Sequence, residues 1–267
     1  MLRFLYRTCL GRLLLWPLAA RPLSQVAGAF MDSALSKCLI PGFVKRAGID
    51  LSQFESDGFR CFNDCFTRKI KAGLRTFDED PQVLTSPCDG LLSAYPITDG
   101  LVMPIKQSHY SVASLLQDAH LAAAYEGGLC LVFRLCVEHY HRYSYFDDGC
   151  PARANKFIPG RLHTVRPIAL ETRPVFVENC REIAYLDTDH FGQAVQIEVG
   201  AMLVGKIANH PVAGRFHRGE EKGMFLYGGS TIVLLLAPGA AVLEAGLVDA
   251  VEEIPVRMGQ SIGKACH

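Results

Sequence analysis

The 267-residue sequence lacks the patterns that indicate several common functions. Its 27 lysine and arginine residues equal its 27 aspartate and glutamate residues, so it has no excess positive charge for nucleic-acid binding. Its ten cysteines include no Cys-x-x-Cys pair, which argues against a structural zinc site. A glycine-rich dinucleotide fingerprint and a phosphate-binding loop are also missing. These absences exclude nucleic-acid binding and predict no metal site.

The composition indicates one large hydrophobic core. Hydrophobic residues make up 49% of the chain, which is too many for a disordered protein. The mean hydropathy is +0.17. The cysteines are even in number but irregularly spaced, with Cys61 and Cys65 the closest pair. In a chain of this length, that spacing favours reduced thiols in a cytosolic protein over a disulfide framework.

The N-terminal segment is basic and apolar. Arg3, Arg7, Arg12 and Arg21 lie in it, and no acidic residue occurs before Asp32. The apolar stretch over 13–20 is shorter than the roughly 20 residues that cross a bilayer. Three interpretations stay open: a targeting peptide, a helix lying in the membrane interface, and a helix packed on the protein's own core.

The interfacial interpretation assigns a lipid-facing role to specific residues. The arginines would meet lipid phosphates, while the apolar side chains would enter the headgroup boundary. Those apolar residues are Leu2, Phe4, Leu5, Leu10, Leu13, Leu14 and Trp16.

Helices are predicted mainly in the first half of the chain. Residues 1–47 indicate short helices broken at Pro17, Pro22 and Pro41. The spacing of four apolar residues predicts an amphipathic helix over 59–71. A further short helix is predicted over 111–116.

Strands are predicted in the second half. Alternating apolar residues over 129–137 and 195–199 are typical of half-buried strands, and the sheet is expected to continue over 202–207. The run 231–236 predicts a fully buried strand, and 241–248 a last one. The fold class is therefore α+β, with a compact β-rich barrel or sandwich core behind N-terminal membrane-associating helices.

The segment Gly228-Gly229-Ser230 offers unusual backbone chemistry. Glycine has no Cβ, so the Ser230 hydroxyl can approach the carbonyl carbon of Gly229. Attack there would convert the peptide bond into an ester, and elimination followed by hydrolysis would leave a pyruvoyl group. By itself the tripeptide is more often a flexible turn.

Other candidate residues lie in Ser86-Pro87-Cys88-Asp89-Gly90 and in the histidine-containing segments. Asp89 is a carboxylate able to orient a histidine, although Pro and Asp-Gly are also ordinary turn residues. His139 and His141 would share one face if the preceding strand continues, and either is suited to general-base chemistry near neutral pH. A structural histidine is the alternative. His210, after a glycine-rich segment, is a reserve candidate.

Taken together these segments resemble the phosphatidylserine decarboxylase proenzymes, in particular their shorter bacterial branch. The matching segments run in one order through almost the whole chain: Leu5-Tyr6, Gly11-Arg12, Asp32-Ser33, Phe66-Thr67-Arg68-Lys69, Ser86-Pro87, Asp89-Gly90, Lys106, Tyr110-Ser111, Leu115-Leu116, Tyr140-His141-Arg142-Tyr143, Gly160, Leu162-His163-Thr164-Val165, Asn179, Arg181-Glu182, Glu198-Val199-Gly200-Ala201, Val204-Gly205, Arg218-Gly219-Glu220-Glu221-Lys222-Gly223 and Gly228-Gly229-Ser230-Thr231.

The resemblance implies an Asp–His–Ser arrangement for self-cleavage between Gly229 and Ser230. Asp89 and Ser230 match the family pattern, and His141 takes the base role. Many members carry a second histidine three residues further on, where this chain has Ser144. The implied cofactor is the pyruvoyl group made from Ser230, which forms a Schiff base with phosphatidylserine and accepts electrons as carbon dioxide leaves. The product is phosphatidylethanolamine.

The resemblance also implies an organisation and a location. Residues 1–47 form a membrane-associating helical segment and residues 48–267 the decarboxylase domain, cut into chains 1–229 and 230–267. The expected partners are membrane phosphatidylserine and the two chains themselves, at the cytoplasmic side of the cell membrane as a peripheral protein. Homo-oligomerisation stays open.

Two other functions stay open: a pyruvoyl-dependent decarboxylase of a soluble amino acid, and a non-catalytic β-rich protein that binds lipid surfaces. A serine hydrolase is disfavoured because Ser230 lacks a Gly-x-Ser-x-Gly setting. Arg142, Lys106 and Lys206 are candidate phosphate ligands by charge alone.

Overall fold

The computed structural model describes residues 2–55, 58–98, 101–105, 108–202, 206–228, 230–248 and 250–266. Gly229, one side of the predicted cleavage site, lies outside these ranges, as does Lys106.

The N-terminal part of the chain is helical, as predicted. Its elements are α1 (Leu2–Arg7), α2 (Cys9–Leu18), α3 (Arg21–Met31), a 3-10 helix (Ala34–Leu39) and α4 (Ile40–Ala47). Pro22 and Pro41 lie in the first turns of α3 and α4, where the missing N–H costs nothing. Pro17 lies inside α2, next to its last residue, and does not break it. In the described part of the chain, no helix has the length and apolar character needed to cross a membrane.

The remaining helices are short. They are a 3-10 helix (Leu51–Gln53), α5 (Phe62–Phe66), α6 (Val112–Leu116), α7 (Ala119–Ala123), α8 (Pro167–Leu170) and α9 (Val175–Glu178). The helix predicted over 111–116 is confirmed, with Ser111 as its cap accepting a hydrogen bond from the Ser114 amide. The helix predicted over 59–71 is too long, because only α5 forms there.

Seventeen strands complete the described structure. They are β1 (Phe54–Glu55), β2 (Lys69–Ile70), β3 (Val83–Thr85), β4 (Gly90–Pro96), β5 (Leu101–Ile105), β6 (Ser108–Ser111), β7 (Leu129–Leu135), β8 (Arg142–Ser144), β9 (Gly149–Ile158), β10 (Arg181–Thr188), β11 (Gly192–Val199), β12 (Ile207–Asn209), β13 (Glu221–Phe225), β14 (Ser230–Leu236), β15 (Ala241–Leu243), β16 (Ile254–Val256) and β17 (Ser261–Ala265).

The main sheet has seven antiparallel strands in the order β16-β4-β7-β14-β11-β10-β9. β14 lies at its centre and every residue of it is buried, which confirms the prediction for 231–236. The strand predicted over 129–137 is confirmed as β7, but it ends at Leu135 and is buried on both faces, so its predicted end and its predicted half-burial are wrong. The strand predicted over 241–248 is only β15, and two further strands follow it.

Two hydrophobic clusters cover the two faces of this sheet. Helices α1, α2, α6, α8 and α9 contribute to the first, which includes Leu5, Tyr6 and Leu15. The second lies beneath two three-stranded sheets, β12-β13-β8 and β15-β17-β3. The α+β class is therefore confirmed. In the described part of the chain the edge strands β16 and β9 do not pair with each other, so the main sheet stays open and the barrel, one of the two expected core arrangements, does not form.

Candidate active site

Ser230 is the first residue of the central strand. It pairs with Leu135 on β7, and its side chain is completely buried. Gly228, two residues earlier, has a φ of 120°, which favours glycine because other side chains rarely adopt it. The Ser230 hydroxyl thus lies at the start of the central, fully buried strand, two residues after a glycine in the left-handed region.

His141 faces this hydroxyl. β7 ends at Leu135, and the following turn brings the imidazole back so that Nδ1 lies 3.5 Å from Ser230 Oγ. The other ring nitrogen, Nε2, lies 3.0 Å from the carbonyl oxygen of Cys136. Because a carbonyl oxygen only accepts hydrogen bonds, Nε2 carries the ring hydrogen and Nδ1 the lone pair. This tautomer can accept a proton from Ser230.

The surroundings of His141 keep it neutral. The ring is fully buried and stacks on Phe66, with centroids 4.1 Å apart. Burial, and after it the nearby charges of Arg68 and His139, together lower the pKa of His141 to about 3. The imidazole is therefore a free base at physiological pH.

Asp89 lies at the turn before β4, but its hydrogen bonds do not go to His141. Its carboxylate accepts two hydrogen bonds from Arg75, of 2.9 and 2.6 Å, and one of 2.9 Å from the amide of Met258. Both ring nitrogens of His141 face other groups. The structure thus brings Ser230 and His141 together, whereas Asp89 holds the segment at Met258 in place.

The other histidines lie elsewhere. The predicted shared face of His139 and His141 does not exist, since β7 ends before either residue. His139 Nδ1 instead accepts a hydrogen bond of 3.0 Å from the Cys136 amide. His210 lies 2.8 Å from Glu221, on a half-exposed surface. In the described contacts, neither of these two histidines is bonded to Ser230.

Ser144 occupies the place of the family's second histidine. Its amide and its hydroxyl both donate to the carbonyl oxygen of Pro87, over 2.9 and 3.3 Å. It therefore packs on the turn that carries Asp89.

A cavity of about 760 Å³ lies beside the Ser230 strand. Its lining residues are Leu2, Arg3, Arg134, Leu135, Cys136, Val137, Glu138, Thr164, Val165, Arg166, Pro167, Met202, Tyr227 and Gly228. Leu135 and Gly228 connect it to the Ser230 region, and Cys136 connects it to His141. Ser230 itself has no exposed surface in this uncut chain, so its side chain lies behind the cavity wall.

Two of the basic residues suspected from charge alone, Arg142 and Lys206, do not line this cavity, and the third, Lys106, lies outside the described residues. Arg142 donates to Glu221 and to the carbonyl oxygen of Thr67, so it is already paired. Lys206 lines a different cavity of about 420 Å³, near α3. Arg134 and Arg166 were missed, and Arg3 was expected only to meet lipid phosphates at the membrane, because nothing in the local sequence marks these arginines as lining this cavity.

The cysteines are not cross-linked near the site. Cys61 and Cys65 are both free thiols, and burial raises the pKa of Cys65 to about 11. Over the ranges that the structure describes, no three histidine, cysteine, aspartate or glutamate side chains cluster as a metal site would need.

Comparison with known proteins gives consistent matches. The family model for phosphatidylserine decarboxylase matches residues 62–264. The chain is 43% identical to phosphatidylserine decarboxylase proenzyme 2 of Clostridium acetobutylicum, over 98% of this chain and 91% of that protein. It is 39% identical to the phosphatidylserine decarboxylase proenzyme of Ruminiclostridium cellulolyticum, over 98% and 90%. The Clostridium beijerinckii proenzyme is 36% identical, over 97% and 90%.

Proposed function

Because the chain belongs to the phosphatidylserine decarboxylase family and is a decarboxylase of phosphatidylserine, we propose that Ser230 makes its reactive group by self-cleavage after Gly229. The observation that carries this proposal is the Ser230 hydroxyl lying 3.5 Å from the lone pair of His141 Nδ1. A neutral, buried imidazole in this tautomer is the general base that the first step requires.

The first step transfers the chain from nitrogen to oxygen. Ser230 Oγ bonds to the carbonyl carbon of Gly229 while its proton passes to His141 Nδ1. The bond from that carbon to the Ser230 nitrogen then breaks, and the nitrogen takes up the proton. The result is an ester between the two residues, with His141 returned to its neutral form.

The second step separates the two chains. A base takes the Ser230 α-hydrogen as a proton, a double bond forms between Cα and Cβ, and the bond between Cβ and Oγ breaks, so chain 1–229 leaves with a carboxylate on Gly229. The dehydroalanine that stays on chain 230–267 takes up water and releases ammonia, which leaves a pyruvoyl group. That group supplies an electron sink for decarboxylation, so no diffusible cofactor is needed.

The residues around position 230 fit such a group. Ser230 and the next residue, Thr231, are both fully buried, and Thr231 Oγ1 has no hydrogen-bond partner in the described part of the chain. Low solvent exposure favours loss of carbon dioxide, because the negative charge of the carboxylate disperses in the transition state.

The two chains are expected to stay together after cleavage. β14 pairs along its length with β7 on one side and β11 on the other, and all seven of its residues are buried. Arg134 of the larger chain also bonds Glu253 of the smaller. This contact area supports a stable two-chain enzyme without a disulfide.

The N-terminal helices support a peripheral membrane position, and the cytoplasmic side is part of this proposal. Leu5 is buried in the core, which corrects its expected lipid contact, but many neighbouring apolar side chains are exposed. They are Phe4, Leu10, Leu13, Leu14, Trp16, Leu18, Leu23, Val26 and Phe30. An apolar patch of this kind beside arginines suits the headgroup boundary of a bilayer. Residues 1–47 thus both pack on the core and present a lipid-facing surface, while 48–267 hold the chemistry.

The decisive experiment replaces the nucleophile. Ser230→Ala is expected to leave a single chain that does not decarboxylate phosphatidylserine, while the control Ser261→Ala is cut and active. The unsubstituted enzyme is also assayed with free serine as a second substrate. Faster decarboxylation of serine than of phosphatidylserine would contradict a phospholipid function. A cut or active Ser230→Ala protein would overturn the assignment of the reactive residue.

A further inference from the structure

The charges inside the 760 Å³ cavity are not balanced. Its lining residues include three arginines, Arg3 on α1, Arg134 on β7 and Arg166 before α8, and one acidic residue, Glu138. A cavity with one excess sign of charge attracts ligands of the opposite sign, because the surrounding protein screens charges less than water does.

Arg134 is already neutralised. Its guanidinium makes two hydrogen bonds to Glu253, of 2.8 and 2.5 Å. It is also largely buried, so it forms part of the wall and is not a free cation.

Arg3 and Arg166 differ from Arg134 in this respect. Both are exposed, and within the described ranges neither forms an ion pair. They approach the cavity from different parts of the fold, the first from the N-terminal helix and the second from the segment leading into α8. Two unpaired guanidinium groups at one cavity are suited to a phosphate, since their N–H groups match its oxygens in pairs.

Arg3 lies next to both the cavity and the exposed apolar side chains of the N-terminal helices. The next residue, Phe4, is an exposed apolar side chain of the lipid-facing helices, while Leu2 lines the cavity together with Arg3. A lipid held against Phe4 would therefore lie next to residues that line the cavity. The apolar side chains of Val165 and Met202 continue the lining.

We propose that Arg3 and Arg166 bind the phosphodiester of the phospholipid substrate and thereby direct its serine headgroup toward position 230. This inference rests on the proposed function and deepens it by naming the residues that hold the substrate phosphate. Both are positioning residues, since the reacting atoms lie beyond the cavity wall at Leu135 and Gly228.

The test separates headgroup binding from attraction to the membrane. Processed Arg3→Gln and Arg166→Gln enzymes are assayed on short-chain phosphatidylserine as a dissolved monomer, and on vesicles. Each change is expected to raise KM for the monomer roughly ten- to a hundredfold, the effect of losing a charge-assisted hydrogen bond, with kcat little changed. The control is Arg46→Gln, which should leave KM for the monomer unchanged, because Arg46 is an exposed residue of α4 whose side chain, among the described contacts, bonds Gly42 of its own helix.

A binding measurement makes the result independent of turnover. Glycerophosphoserine, the deacylated headgroup, is titrated into the uncut Ser230→Ala chain and into the same chain with Arg3→Gln or Arg166→Gln. A glycerophosphoserine affinity that falls by a factor similar to the rise in KM supports the proposal. Because this measurement uses the uncut chain, it also applies if an arginine variant fails to self-cleave. If a variant does not fold, Arg3→Lys or Arg166→Lys replaces it, and a severalfold weaker affinity is expected because lysine lacks the guanidinium fork.

Two outcomes overturn the proposal. One is an unchanged KM and unchanged glycerophosphoserine affinity in both arginine variants. The other is a KM that rises on vesicles alone, which would assign the arginines to membrane adsorption. Absence of cleavage and decarboxylation in the unsubstituted protein would instead refute the proposed function.

Discussion

The sharpest prediction concerns the proton acceptor of self-cleavage. His141→Gln removes the Nδ1 lone pair that lies 3.5 Å from Ser230 Oγ, while a side chain of similar polarity stays in the turn after β7. A positioned general base typically accelerates proton transfer by 10² to 10⁴. We therefore expect cleavage of His141→Gln to slow by about 10²-fold or more.

The assay follows newly synthesised protein over time and separates the uncut chain from its two products by size. His210→Gln is the matched control, because His210 bonds Glu221 and not the site, and it should cut at the unsubstituted rate. The melting temperature of each variant shows whether its fold is intact. Cleavage of folded His141→Gln at the unsubstituted rate would refute the assignment of the base.

The pH dependence of cleavage follows from the same ring. Since the pKa of His141 is lowered to about 3, the ring stays neutral from pH 8 down to about pH 4. The cleavage rate should therefore show no decline around pH 6.5, where an unperturbed histidine titrates. A loss of rate centred there would mean that His141 is solvated in the reactive state.

Three more predictions follow from named contacts. Asp89→Asn should lower the free energy of unfolding by about 2 kcal/mol and slow cleavage, because it weakens the hydrogen bonds to Arg75 and Met258. Denaturant unfolding measures the change in stability, and an unchanged unfolding midpoint would contradict the prediction. In the uncut Ser230→Ala chain, stability should fall as pH falls from about 6.5 toward 3, by about 1.4 kcal/mol per pH unit, because His141 takes up a proton in the unfolded chain but not in the folded one. Adding His141→Gln should remove this loss of stability. Leu13→Glu should weaken co-sedimentation of the protein with vesicles. Val242→Glu should not, because Val242 is also an exposed apolar residue but lies on β15; equal loss of co-sedimentation in both variants would argue against a lipid-facing N-terminus.

The sequence predicts the central strand well and its neighbours less well. The run 231–236 is uninterrupted and apolar, as expected of a strand buried on both faces. The helix predicted over 59–71 ends at Phe66, because Lys69 and Ile70 pair instead with β1. Periodicity reports how a segment is buried, but the long-range partner that replaces a helix is not visible in it.

The candidate active site could likewise be predicted only in part. The residue types of the site were predictable, and Ser230 and His141 do come together. Their partners were not: His141 is oriented by the backbone carbonyl of Cys136, which any residue supplies, and Asp89 by Arg75, fourteen positions away. Backbone hydrogen bonds and ion pairs across turns depend on the fold and leave no local pattern.

If Ser230 becomes a pyruvoyl group, the masses of the intact chains in an active preparation will show it. The expected result is two chains, 1–229 and 230–267. The smaller chain should be lighter by one ammonia than a peptide that begins with serine, and it should react with hydroxylamine. A single unbroken polypeptide with full activity, or a smaller chain with a free N-terminal serine, would contradict it.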